Sequence, residues 1–241
     1  MNMQNKKILF RFIFVISIAI AAISIFIFSD KRFSDMFNTN SEKLLFIAGR
    51  NDVIVIDAKT KKEITAINLA AKDEDIVIEL SPHDIQTTPN KEYVWVTASA
   101  SQDKLSALHK NAREHMHLMM TSDQAIIIDP NTNSIKKRLQ MGNNIRLSDI
   151  VITSDSKYAY ISAENGNALY RINASNYKIE LIQLPPETRP HEIALSEDGT
   201  KLYTRSSIKN EIFVISTKTN KVVTKLRSGD ASKEIINWSK H

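Results

Sequence analysis

Residues His191–Leu226 read HEIALSEDGTKLYTRSSIKNEIFVISTKTNKVVTKL, in which four short runs rich in β-branched and aromatic residues alternate with turns rich in Ser, Thr, Asn, Asp and Gly. The same order of runs and turns stands just before it, at Ser148–Leu184, as SDIVITSDSKYAYISAENGNALYRINASNYKIELIQL. An earlier copy opens at His83 as HDIQTTPNKEYVWVTAS and resumes at Ala125 as AIIIDPNTNSIKKRL. A fourth, LLFIAGRNDVIVIDAKTKKEITAINL at Leu44–Leu69, lacks the opening run, and the terminal KEIINWSKH matches the missing piece. No amphipathic helical period persists through this body, so self-similarity sets the architecture.

Each unit holds four strands. The third closes in a turn written Asp57-Ala58-Lys59-Thr60, Asp129-Pro130-Asn131-Thr132, Asn173-Ala174-Ser175-Asn176 and Ser216-Thr217-Lys218-Thr219. Asp, Asn or Ser at the first turn position accepts hydrogen bonds from the backbone that follows, which explains the residue types. The turns recur at intervals of 72, 44 and 43 residues. A period near 43 with four strands per unit is the mark of a β-propeller blade; an ordinary meander or sandwich would not keep its turn chemistry in step with its strands. The expected fold is therefore all-β, a propeller of about four four-stranded blades over residues 43–241. In it Lys233–Trp238 completes the blade begun by Leu44, so that both ends of the body close one blade. Two other closures fit the same count: a truncated descendant of a larger ring, and a half-ring completed by a second copy, since an open ring would expose a strand edge.

HEIALSEDGTKLYT followed by EIFVISTKTNKVVTKL resembles the YVTN-repeat β-propellers, whose unit reads P-x-x-I-A-x-S-P-D-G-x-x-x-Y-V-x before a V-x-V-I-D-x-x-T turn. The resemblance covers residues 44–239. It implies the propeller fold and leaves function wide, because such propellers serve as binding scaffolds, cofactor holders and subunits of periplasmic redox enzymes. The chain departs from the pattern in having only five glycines, with Gly199 alone at the usual turn position and Asn90 and Ser156 standing there in other blades.

The composition narrows the chemistry. With no cysteine, the chain has no disulfide, thiolate metal site, cysteine nucleophile or c-type haem attachment. The formal charge is +5, but residues 1–32 carry +4 of it through Lys6, Lys7, Arg11, Lys31 and Arg32 against Asp30. A body of 209 residues with +1 offers no electrostatic footprint for nucleic acid. Phe12–Phe28 is an uncharged run, FIFVISIAIAAISIFIF. Its 17 residues cover roughly 25 Å as a helix, and about 30 Å with Ile8–Phe10 and a snorkelling Arg11. Residues 1–28 are thus expected to be a transmembrane anchor, with 29–42 a polar connector. A signal peptide is the rival, with Ala19-Ile20-Ala21 as its cleavage triplet, although the apolar run exceeds the usual signal core. Either way the body is exported, and the basic N-terminal flank favours a single pass through the inner membrane with the body on the periplasmic side.

Four places could carry chemistry. In the first, the start of each innermost strand aligns His83-Asp84-Ile85, Ser148-Asp149-Ile150, His191-Glu192-Ile193 and Lys233-Glu234-Ile235. In a closed ring Asp84, Asp149, Glu192 and Glu234 would converge near the channel mouth, where four carboxylates either raise their pKa values or recruit a metal cation such as calcium or magnesium. The alternative is that each acid caps or neutralises its neighbour blade, for instance through Arg146, Arg189 or Lys233. The second is an insertion, Ser101–Met120, expected to be a helix with Leu105, Leu108, Ala112, His115 and Met119 on one stripe and Ser99 and Gln102 at capping-box spacing. The third is its set of His109, His115, His117, Met116, Met119 and Met120, a copper-like donor set whose spacing on a helix sets the imidazoles apart. The fourth is the pair His83 and His191, which hold equivalent positions; by the resemblance a channel histidine can ligate a cofactor such as haem.

Two functions follow from different classes. One is a non-enzymatic, membrane-tethered propeller that binds a protein or small ligand on the face carrying the insertion. The other is a redox or cofactor-handling propeller with a channel ligand held by His83, His191 or the acids. The residue pattern specifies no cofactor. It also lacks a glycine-rich phosphate loop, a G-x-S-x-G elbow and an H-E-x-x-H helix.

Overall fold

Val94, Trp95 and Val96 follow one another along one strand and all three are buried, as are Ala125 to Ile128 on the strand beside it. Successive side chains of a strand point to opposite faces, so burial of consecutive residues requires both faces of the sheet to be covered. Val94, Val96, Ile126 and Ile128 pack with Val53, Val55, Ile67 and Leu69. Trp95, Ala125 and Ile127 turn the other way, to Leu147, Ile150, Ala159 and Ile161. A third cluster joins Tyr160, Leu169 and Ile182 to Ile193, Leu202, Phe213 and Ile215. The core is therefore a series of apolar layers, each between two consecutive sheets.

The computed structural model describes residues 44–73, 76–100 and 123–227. All of them lie within one of the two units into which the chain divides, Leu44–Lys233. The first sheet has three strands, β1 (Leu44–Ala48), β2 (Asp52–Asp57) and β3 (Glu63–Asn68). A short hairpin, β4 (Ala71–Asp73) with β5 (Ile76–Ile78), follows it and was not legible in the repeat. The second sheet orders β6 (Leu80–Thr87), β7 (Val94–Ala100), β8 (Asp123–Asp129) and β9 (Ser134–Gly142). The third orders β10 (Leu147–Ile152), β11 (Tyr158–Ala163), β12 (Ala168–Asn173) and β13 (Ile179–Gln183). The fourth orders β14 (Pro190–Leu195), β15 (Lys201–Ser206), β16 (Glu211–Ser216) and β17 (Lys221–Arg227). Every pairing is antiparallel and sequential. Across sheets, β10 lies against both β6 and β14, so the first strands of three consecutive sheets are neighbours, as the inner strands of a propeller are.

The turns work as their residue types require. Asp57 Oδ1 accepts from the Lys59 and Thr60 amides at 2.9 and 2.6 Å, and Asn173 Oδ1 from Ser175 and Asn176 at 2.9 and 3.2 Å. Between the first and second strands of each full sheet, Thr88, Thr153 and Ser196 bond through their hydroxyls to the carbonyl oxygens of Tyr93, Tyr158 and Lys201. The Ser196 hydroxyl and the Thr200 amide hold the Asp198 carboxylate at a pKa of about 2, and Thr153 and Lys157 do the same for Asp155. The left-handed position of this turn is Gly199 (φ 68°), Ser156 (φ 60°) and Lys91 (φ 61°). Sequence placed Asn90 there. Asn90 instead occupies the Asp198 position, its side-chain oxygen accepting from the Glu92 amide, and leaves the positive φ to Lys91.

Ser99 also departs from expectation. It pairs with Asp123 inside β7–β8 rather than capping a helix, because the ladder extends both strands to the base of the insertion. The expected anchor (1–28), connector (29–42), insertion helix (101–120) and closing strand (233–238) lie outside the described residues, and no helix among those described could cross a membrane.

Since Trp95 fills the layer between the second and third sheets, Trp95→Ala is expected to cost about 3–5 kcal/mol in chemical denaturation. Val223→Ala, on the exposed outer strand, should stay within about 0.5 kcal/mol of wild type.

Candidate functional site

Each inner strand is irregular at the same place. The register shifts between Pro82 and Asp84, between Leu147 and Ile150, and between Pro190 and Ile193, so a bulge falls at His83, at Ser148-Asp149 and at His191-Glu192. A bulge releases backbone amides and carbonyls from the ladder, and buried groups of that kind need other partners. Aligned side chains supply them. The Thr97 hydroxyl accepts from the Asp84 amide (3.0 Å) and donates to the Ser148 carbonyl of the next sheet (2.8 Å). Ser162, one sheet on, accepts from the Asp149 amide (3.0 Å) and donates to the His191 carbonyl (2.6 Å).

The acids complete the same junctions. Asp84 Oδ1 accepts from its own Ile85 amide (2.8 Å), while Oδ2 reaches forward to the Ile150 amide (3.0 Å). Asp149 repeats this with Ile150 (2.9 Å) and Ile193 (2.9 Å). Asp84 and Asp149 thus each cap the next sheet, with backbone amides rather than arginines as partners. Because the Ile150 amide serves both carboxylates, Asp84 and Asp149 are held close together. Burial first, and then the adjoining Asp84, push the Asp149 carboxyl up to about 8 against the pull of its two amides.

The fourth sheet breaks the pattern. Arg205 stands where Thr97 and Ser162 stand, and Glu192 pairs with it at 2.5 Å. Glu234 lies outside the described residues. Among the described residues no group of three or more His, Asp or Glu is arranged to hold a metal ion. His83 and His191 are both exposed at their bulges. The crowded surroundings of His83, followed by the Arg146 guanidinium, lower its imidazole pKa.

Arg146 and Arg189, expected to answer the acid column, turn instead to a residue that sequence reasoning did not single out. Glu164, 4% exposed, meets Arg146 Nε at 2.9 Å, an Arg189 terminal nitrogen at 3.4 Å and the Ser207 hydroxyl at 2.8 Å. One buried carboxylate thereby fastens the segments leading into β10 and β14. A second forward-reaching column runs beside it. Asp123 Oδ2 accepts from the Ile145 and Arg146 amides (2.7 and 2.9 Å), Asn167 Oδ1 from the Arg189 amide (2.9 Å), and Asn51 Oδ1 from the Ser81 hydroxyl (3.2 Å). Each of these residues stands six positions before the turn residue at Asp57, Asp129 or Asn173, a spacing that could have revealed them.

No family model matches the chain, and no curated protein matches it in sequence. Solved structures do. Hydrazine synthase of Kuenenia stuttgartiensis superimposes with a TM-score of 0.57 at 18% identity, over 76% of this chain and 46% of that one. A streptogramin B lyase gives 0.53 at 17%, over 79% and 56%. Virginiamycin B lyase from Staphylococcus aureus gives 0.53 at 18%, over 79% and 57%. The chain spans about half the length of these proteins, and the likeness establishes the fold: it is a β-propeller module.

Two outcomes follow. Thr97→Val strands the Asp84 amide and the Ser148 carbonyl, and should lower stability by about 2 kcal/mol in urea melts. The raised Asp149 pKa means that folding disfavours its ionised form. Its contribution is greatest below about pH 4, the usual carboxylate value, falls as pH rises to about 8, and is flat above. Asp149→Asn should remove that decline from a series of denaturation midpoints taken between those values.

Proposed function

We propose that this chain is a membrane-tethered, extracytoplasmic β-propeller that acts as a non-enzymatic binding module. The observation that carries the reading is the fate of the inner-strand acids. Asp84 and Asp149 are committed to backbone amides across sheet boundaries, so groups that could serve as metal ligands or acid–base catalysts act as fasteners. A scaffold so fastened offers its loops for recognition. Residues 101–122 leave β7 and rejoin β8 at the end where Asp123 holds the Arg146 loop, and Ser101–Met120 is proposed to meet the partner there. The charge-free Phe12–Phe28 run with its basic flank supports an inner-membrane anchor with the body in the periplasm.

The reading includes completion of the first sheet by residues 233–238. Ile85 and Ile150 lie opposite Val96 and Ile161, and the proposed closing strand, if it keeps the repeat, would pair Ile235 with Ile47. In a chain without native cysteine, an Ile47→Cys/Ile235→Cys pair should cross-link within one chain on oxidation; dimers joined by that pair would instead support a ring completed by a second copy.

The deciding experiment is isolation of the full chain from a bacterial host. Sedimentation with membranes, protease access from the periplasmic side and no visible absorption band are expected. Recovery as soluble cytoplasmic protein, or a band lost on His191→Ala, would overturn the reading, the latter in favour of a cofactor-handling propeller.

A further inference from the structure

At the end of the sheets where β6, β10 and β14 begin, acceptors and donors are unequally used. Every described carboxylate there is engaged: Asp84 and Asp149 with amides, Asp123 with the Ile145 and Arg146 amides, Glu164 with Arg146, Arg189 and Ser207, and Glu192 with Arg205. The donors are not. Arg146 meets Glu164 only as an ion pair, Nε lying 2.9 Å from Oε2, and its guanidinium forms no directed hydrogen bond among the described residues. The same holds for the exposed imidazoles of His83 and His191. Arg146 cannot drift, because Asp123 holds its amide and Glu164 its guanidinium. A guanidinium held by charge beside a buried carboxylate, with half its surface open, keeps N–H donors available for an oxyanion.

We propose that this mouth is a binding site for a small oxyanion, a carboxylate or a phosphate, with Arg146 as its anchor and His83 and His191 as flanking donors. The proposal rests on the binding-module reading and deepens it by naming the chemistry of a ligand. β10, into which Arg146 leads, lies against both β6 and β14, and His83 and His191 stand at the matching bulges of those two strands. The charged groups that act on His83 are Arg146 before β10, Asp123 on β8, Glu164 after β11 and His191 on β14, while its neighbour Asp84 is turned to the Ile85 and Ile150 amides. Arg146 discourages a proton on His83, and a bound anion opposes that effect. Affinity therefore rises as pH falls through the lowered His83 value.

The test uses the full chain in detergent with labelled histidine. Inorganic phosphate and succinate are titrated separately, with the ring signals followed by NMR and affinity by calorimetry. Saturable shifts of His83 and His191 alone among the six histidines are expected, and the tighter of the two probes assigns the ligand class. Arg146→Gln should weaken binding by about tenfold or more, the scale of one charge-assisted hydrogen bond. If that variant fails to fold, the double variant His83→Gln/His191→Gln, altered only at exposed positions, should show weakening of the same order. Absence of saturable shifts, equal drift of all six histidines, or undiminished affinity in a folded variant would overturn the site. A soluble protein or a visible band would instead sink the binding-module reading and leave this titration readable.

Discussion

A bulge in an inner strand breaks its ladder, and the rest of the molecule is arranged around repairing that break. Released amides and carbonyls lie buried between sheets, where an unmatched one costs about 1–3 kcal/mol. Repair comes from a hydroxyl and a carboxylate that reach across the boundary: Thr97 and Asp84 toward the third sheet, Ser162 and Asp149 toward the fourth. The apolar layers supply most of the free energy because they bury both faces of the middle strands, but they are tolerant of sliding. The polar junctions are directional, and they fix how one sheet is placed against the next.

The same economy of hydrogen bonding shapes the mouth. Glu164 is a buried anion between two arginines, tolerable only because both pair with it and Ser207 donates to it. The pairing also fixes a place for Arg146, whose guanidinium is drawn to Glu164 while half its surface stays open. A structural clasp and a recognition surface thus come from one side chain.

Much of this was legible in the residues. Period, turn chemistry and strand order follow from short-range patterns, and the acid column was visible because Asp84, Asp149 and Glu192 each precede isoleucine. The partners were less so. Glu164 belongs to no column of like residues, since Ser99 and Ser207 stand at its equivalents, and its role arises only where two loops from different sheets meet. The hydroxyl column was visible in Thr97 and Ser162, but Arg205 interrupts it, and one exception in three hides a pattern. Ser99 misled because capping-box spacing is local, whereas the β7–β8 ladder that claims it is set by pairing with Asp123.

At the bulges the junctions point the same way along the chain: each sheet extends a hydroxyl and a carboxylate to its successor, which meets them with backbone groups. A sheet is therefore a link with a hook at one end and an eye at the other. Copying one such link in tandem would produce a longer chain of sheets with every new boundary already furnished. A lineage built this way could change its number of blades by recombination between repeats, without inventing a contact. The fourth sheet varies the link, since Arg205 stands in the hydroxyl's place and pairs with Glu192 of its own sheet.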